Sequence, residues 1–246
     1  MKGRRWTRNE LILAFNLYCK LPFGKLHNKN PKIIKLSEIL NRTPSALALK
    51  LVNFASLDPE LKKRGIKGMS SHSKHDKIIF EEFNNNWIKL ILESEYLLDA
   101  GKDFNDLNLE KIGRDKLKLI KTRVNQSFFR KLVLTNYDEK CALCNINNQS
   151  LLIASHIKPW SIDPKNRLNP KNGLLLCSIH DKAFDSGLIS FDNDLKLILS
   201  EDIQKINKKP FYDYFGQFEN KKLNTPKKFY PSFEFLEYHR DIVFKR

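Results

Sequence analysis

Apolar residues recur at helical spacing along the first hundred positions and switch to short runs broken by turn residues further on. Over residues 5–57 this pattern predicts three helices. Thr7 followed by Glu10 is a capping-box signature, in which hydroxyl and carboxylate satisfy exposed N–H groups at a helix start. Leu11, Ala14, Phe15 and Tyr18 then share one face, with Cys19 beside them as a small core residue. After the loop LPFGKLHNKN, a second helix is marked by Ile33, Leu36, Ile39 and Leu40. Thr43-Pro44 opens the third, which buries Leu47, Leu51 and Phe54 and leaves Lys50 and Asn53 on another face.

Helical periodicity resumes from Ile78 to about Leu98, read as a linking helix, and again from Lys116 to Leu134. Two short apolar runs, Leu151–Ala154 and Leu174–Leu176, then read as strands flanking the Pro- and Asn-rich loop SIDPKNRLNPKNG. A helix follows from Ser178 with Ala183 and Phe184 inward, and LISFDNDLKLILS alternates as a hairpin about Asp-Asn-Asp. The expected organisation is a basic helical domain over 1–77, a helical linker over 78–113 and a second domain over 114–246 with an aromatic tail. Its class is α+β.

Charge adds a partner to this picture. The chain of 246 residues has a formal net charge of +16. Residues 1–77 hold 17 Lys/Arg against 5 Asp/Glu, while residues 78–130 balance at 9 against 9. A regional excess of this kind attracts a polyanion, and double-stranded DNA is the expected partner. The alternative is a lysine-rich solubilising surface. Three short helices with a sharp turn before the third suggest a helix-turn-helix, and WTRNEL resembles the Myb/SANT trihelical pattern. On that reading Arg42, Lys50 and Asn53 are the residues to contact DNA. The trio Arg123, Gln126 and Arg130 shares one helical face and is a further candidate for phosphate or base contact, with a solvated face as the alternative. No apolar run approaches the ~20 residues needed to span a bilayer, and no signal peptide opens the chain, so a cytoplasmic location without membrane contact is expected.

Chemistry concentrates between Cys141 and Asp185. Cys141-x-x-Cys144 and Cys177-x-x-His180 are two half-sites that together supply the four ligands of a structural Zn²⁺. A unit of some 50 residues has little core of its own, and such an ion staples its turn to its helix. Between the halves stand His156, at the end of the first strand, and Asn172-Gly173.

Cys-x-x-Cys, then SHIKPW, then NGLLLC-x-x-His-Asp-x-x-Phe-Asp resembles the HNH endonuclease family, in its branch with an (A/S)HI first motif. The resemblance covers roughly residues 121–200. RVNQSFFRKLVLTNY and FLEYHRDIVF also resemble segments that accompany this core in bacterial restriction-type proteins. The resemblance implies a zinc-stapled ββα-metal nuclease domain, with His156 as general base, Asn172 holding its loop, and Asp181 as a ligand of a catalytic Mg²⁺ (or Mn²⁺). Many members carry an acid just before the base, where this chain has Ser155. The second magnesium ligand is therefore open between Asp185, one turn from Asp181, and Asp163 in the loop. His180 is likewise open between the zinc and the active site. His239 and Arg240 in the tail either pack on the core or reach the DNA backbone. Restriction requires two strands to be cut and one core has one site, so a homodimer is expected.

Overall fold

The computed structural model describes residues 4–65, 72–84, 86–100 and 127–245. It divides into two compact units, Met1–Phe128 and Phe129–Arg246.

The first unit is helical. Its helices are α1 (Arg8–Cys19), α2 (Pro31–Ile39), α3 (Pro44–Leu57), the short α4 (Pro59–Lys63), α5 (Lys74–Phe83) and α6 (Trp87–Ala100). The Thr7–Glu10 capping box starts α1, and Thr43 caps α3 with Pro44 in its first turn, as the sequence suggests. The apolar stretch after residue 77 differs from expectation. It forms two helices, α5 and α6, rather than one linking helix, and both pack on α1. Ile79, Phe80, Phe83, Trp87, Leu90 and Ile91 are buried there, so these helices are core of the first unit.

That extra layer overturns the assignment of the DNA-contacting residues in this unit. Helix α3 meets α1, α2 and α5, which leaves no broad free face. The Lys50 ammonium is buried and donates to both carboxylate oxygens of the fully buried Asp76, at 2.8 and 3.0 Å. Asn53 is buried beside it. Arg42 donates to Glu10 and to the carbonyls of Arg4 and Arg5, and its guanidinium lies 4.3 Å from the Trp6 ring centroid. Removing a buried charge from its partner costs several kcal/mol, so neither cation is available to a phosphate, and Asn53 is covered. Exposed cations of this unit include Lys25, Lys29, Lys32 and Lys35 before and along α2, Lys62, Lys63 and Arg64 at the end of α4, and Lys74 and Lys77 on α5.

The second unit opens in α7, helical over 127–136. Arg123 and Gln126 lie outside the described residues. Strands β1 (Leu152–His156) and β2 (Gly173–Cys177) pair antiparallel, with His156 opposite Gly173. Helix α8 (Ser178–Asp185) packs against both strands through Ala183 and Phe184. The expected hairpin is present as β3 (Ile189–Phe191) and β4 (Leu197–Leu199). Two short helices, α9 (Glu201–Gln204) and α10 (Lys208–Tyr214), precede α11 (Phe233–Tyr238).

The tail is structural. His239 is buried, hydrogen-bonded to Ser190 Oγ at 2.9 Å and to the Phe184 carbonyl at 3.1 Å, and stacks on the Phe184 ring. Arg240 donates to the Phe191 carbonyl and to Asn193. Both are therefore spent inside the unit and not presented to DNA. Gly187 makes the docking feasible: at φ +72, a Cβ there would lie 2.0 Å from the Val243 carbonyl oxygen.

Candidate active site and metal centre

The two half-sites converge. Sγ of Cys141, Cys144 and Cys177 and a ring nitrogen of His180 lie within 4.8 Å of one another, the only such group of three or more ligand side chains among the described residues. The first turn is shaped by Asn145 in the left-handed region, φ 63, and is tied to β2 by Ala142 N–H donating to the Leu175 carbonyl at 2.7 Å. The second half-site is the junction of β2 and α8. Bonds of about 2.3 Å to sulfur and 2.0–2.1 Å to nitrogen in a tetrahedron put sulfurs about 3.8 Å apart and sulfur about 3.5 Å from nitrogen. The structure has 3.8 Å between Cys144 and Cys177 Sγ, and His180 Nδ1 at 3.5 and 3.3 Å from Cys141 and Cys177 Sγ. The residues thus fit zinc in number, type and spacing.

The charges agree. Hydrogen bonds with Cys141 and Cys144 hold the Cys177 thiolate far below the ordinary thiol range, while Cys141 and Cys177 push the Cys144 thiol far above it. Burial opposes protonation of His180, but its bonds to Cys141 and Cys177 prevail and raise it to about 10. Three sulfurs this close resist sharing negative charge unless a cation sits among them. His180 Nε2–H donates to the Tyr214 carbonyl at 2.7 Å, which directs Nδ1 at the sulfurs. His180 therefore lies with the cysteines and not beside His156, and Asp181 occupies the next position on α8.

His156 ends β1 and is held by a hydrogen bond and a ring stack. Its Nε2 lies 2.9 Å from the Arg167 carbonyl. A carbonyl only accepts, so Nε2 carries the hydrogen and Nδ1 keeps the lone pair. Burial lowers the His156 pKa, which favours that neutral form. The ring stacks on Phe129 with centroids 4.1 Å apart and planes 6° from parallel. Opposite His156 in the ladder, Gly173 leaves room for this arrangement: a Cβ would lie 2.9 Å from Phe129 Cζ and 2.6 Å from Val133 Cγ2. Gly173→Ala is expected to destabilise the second unit by about 1–3 kcal/mol, the usual cost of overpacking a filled core. Urea unfolding followed by circular dichroism measures this, and an unchanged midpoint would contradict the contact.

The loop from β1 to β2 is built on a three-residue repeat. Asp163 accepts from the amide and side chain of Asn166, Asn169 donates to Asn166, and fully buried Asn172 donates to the carbonyls of Lys158 and Asn166. Asn172 Oδ1 also accepts from Lys158 N–H at 2.8 Å. Asx turns at Asp163-Pro164 and Asn169-Pro170 produce the repeat, because each side chain caps the turn that follows it. The ladder occupies Asp163, which also lies 3.5 Å from Lys158 Nζ. Asp163 is thus engaged in the loop and is a poorer metal ligand than Asp185.

On α8, Asp181 is half-buried and Asp185, one turn on, is exposed. Desolvation raises both carboxyls, and for Asp181 the neighbouring Asp185 adds to the rise. The Ser155 hydroxyl is near enough to Asp181 to oppose that rise, yet it falls short of hydrogen-bond geometry. A repelling acid pair beside the strand that carries His156 fits a hard cation whose remaining ligands are water and phosphate oxygens. Arg130, expected to clamp phosphate, is instead a strut: it donates to the carbonyls of Leu152 and Gln149 at 2.7 and 2.8 Å. Phe129 and Arg167 are parts of the site that sequence reasoning passed over. An aromatic ahead of the zinc knuckle was the one signal for Phe129. The role of Arg167 rests on its main chain, which no residue type announces.

A ββα unit stapled at its strand–helix junction, with a held histidine ending its first strand, defines a class of nuclease domain. Residues 141–192 match the family model described as HNH endonuclease, and this segment of the chain is an HNH domain. Among solved structures, a chain described as "Modification dependent TagI restriction endonuclease" is similar at 18% identity and a TM-score of 0.30, covering 46% of this chain and 36% of that one. The match thus spans little more than a third of that protein. No curated protein matches.

Proposed function

We propose that the chain is a metal-dependent DNA endonuclease of restriction type, working as a homodimer. The observation that carries the reading is the held His156: a neutral imidazole whose Nε2–H is committed to the Arg167 carbonyl can only use Nδ1 to accept a proton. In that role Nδ1 takes the proton of a water whose oxygen bonds to phosphorus. The bond from phosphorus to the 3′ oxygen breaks, solvent protonates that oxygen, and a 5′-phosphate remains. Asn172 keeps the base loop closed. Asp181 and Asp185 would hold Mg²⁺ or Mn²⁺, which when bound polarises the scissile phosphate. Cys141, Cys144, Cys177 and His180 would hold the structural Zn²⁺. Thiolates kept for a metal suit a reducing cytoplasm, and among the described residues no helix is long and apolar enough to cross a membrane. The exposed lysines around α2 supply the positive surface for duplex DNA in the first unit. Cleavage of both strands needs two such sites, which supports the homodimer.

The test is incubation of supercoiled plasmid, with and without base modification, with Mg²⁺, Mn²⁺ or no divalent ion, followed by end sequencing. Nicked and linear products with ligatable 5′-phosphates are expected only with a cation. Tight binding without nicking under every condition would instead mark a non-catalytic reader of nucleic acid. Preferential cutting of single-stranded RNA in a parallel arm would mark a ribonuclease.

A further inference from the structure

The loop that holds the base also carries a surface that the proton transfer does not use. Trp160 follows β1 and is 54% exposed, although its loop is tied down by the Asp163–Asn172 ladder. Of the three tryptophans it is the one presented most openly, since Trp87 is buried and Trp6 is partly covered. The Arg167 guanidinium lies 4.9 Å from its ring centroid. Arg167 Nε is buried and finds no hydrogen-bond partner among the described residues. The same residue therefore faces His156 with its main-chain oxygen and Trp160 with its side chain.

The surroundings are cationic. Lys165 is exposed and Lys171 half-exposed on the same loop, and neither pairs with an acid among the described residues. The loop's acid, Asp163, is occupied by Asn166 and Lys158. A preorganised indole with a guanidinium over its ring, on a loop that carries two lysines unpaired among the described residues, suits a strand of nucleic acid. Every base or sugar offers a face to stack on, and each phosphate offers a charge to the arginine. Ile162 of the same loop is also exposed, at 56%.

We propose that Trp160 and Arg167 form the contact that seats the DNA strand beside the scissile phosphate, with the indole stacked on a base or deoxyribose and the guanidinium on a phosphate. The inference rests on the nuclease reading for its geometry, and it makes the loop both the holder of the base and the reader of the strand's position. Because Arg167 holds His156 through its carbonyl, Arg167→Ala removes the strand contact and leaves the base anchored.

The experiment measures plasmid cleavage and, separately, binding of a labelled duplex without divalent ion, for Trp160→Ala, Arg167→Ala and Trp160→Phe. Trp160→Ala and Arg167→Ala should raise KM and the metal-free Kd about tenfold, in the range of one lost base stack, with kcat changed less than about twofold. Trp160→Phe keeps a π-face and should recover most of the loss. Unchanged binding and KM in both alanine variants would overturn the proposal. So would a loss confined to kcat, which would place the pair behind the base instead of on the strand. If the wild-type protein cuts nothing with any cation, the nuclease reading fails, and the metal-free binding arm still decides whether this pair seats DNA.

Discussion

His156→Ala is expected to bind duplex DNA within about twofold of wild type while losing metal-dependent cleavage by about a thousandfold, in the range that general-base catalysis contributes. The expectation follows from how little the fold asks of the imidazole. Its ring donates one hydrogen bond, to the Arg167 carbonyl, and its face lies on Phe129. The truncation loses the ring stack on Phe129 and leaves a carbonyl that solvent can satisfy, so the second unit should lose only a modest part of its stability. A variant that is folded by circular dichroism, binds DNA and does not cut assigns the defect to chemistry. Undiminished cutting would remove His156 from the mechanism. His156→Asn offers a control: it can keep a donor toward Arg167 but supplies no proton acceptor of comparable basicity, and it should be as inactive as the alanine.

Removing zinc should have the largest effect on the fold. The site ties a turn that precedes β1 to the junction of β2 and α8, so one ion closes the whole ββα unit on itself. Apparent binding free energies of structural zinc reach about 10–16 kcal/mol in small fingers that have no other core. This unit also has buried Phe184, Phe191 and Leu174–Leu176, so the share carried by the metal should be smaller, about 5 kcal/mol. Cys177→Ser is expected to bind less than one zinc per chain and to lose the packing of α8, taking Asp181 and Asp185 out of position. The helices of the first unit contribute no ligand and should survive. Zinc release by a chromogenic indicator, together with unfolding curves for wild type and variant, checks both parts. A variant with wild-type stability and activity would show that the cluster is not a structural metal site.

Legibility of this chain varied with the reach of each interaction. The ββα elements and the ligand set were readable because each depends on spacing within a few residues: a C-x-x-C and a C-x-x-H half-site, a histidine ending an apolar run, and Asn-Gly opening the next strand. The fate of Lys50 was not readable. A basic residue on the less apolar side of a helix looks solvated unless one knows that α5 brings Asp76 against it from 26 positions away. The same holds for Arg130, whose partners are main-chain carbonyls that every residue possesses. The resemblance to the HNH pattern supplied roles for His156, Asn172 and Asp181, whereas the stacked Phe129 and the space left by Gly173 emerged only once strands were paired. Periodicity gave each helix its inner face, and it was silent on helices covered from two sides.

The loop ladder has one more consequence, in the chemical lifetime of the protein. Asn-Gly is the dipeptide in which a side-chain amide is most readily attacked by the following backbone nitrogen, closing a succinimide and yielding aspartate or isoaspartate. Here both partners in that reaction are engaged: the Asn172 carboxamide accepts from the Lys158 N–H and donates to the Lys158 carbonyl, and Gly173 N–H donates to the Pro170 carbonyl. Gly173 is further fixed by its place opposite His156 in the strand pair. The folded loop thus shields its own most perishable bond, and ageing of the site is coupled to any opening of the loop.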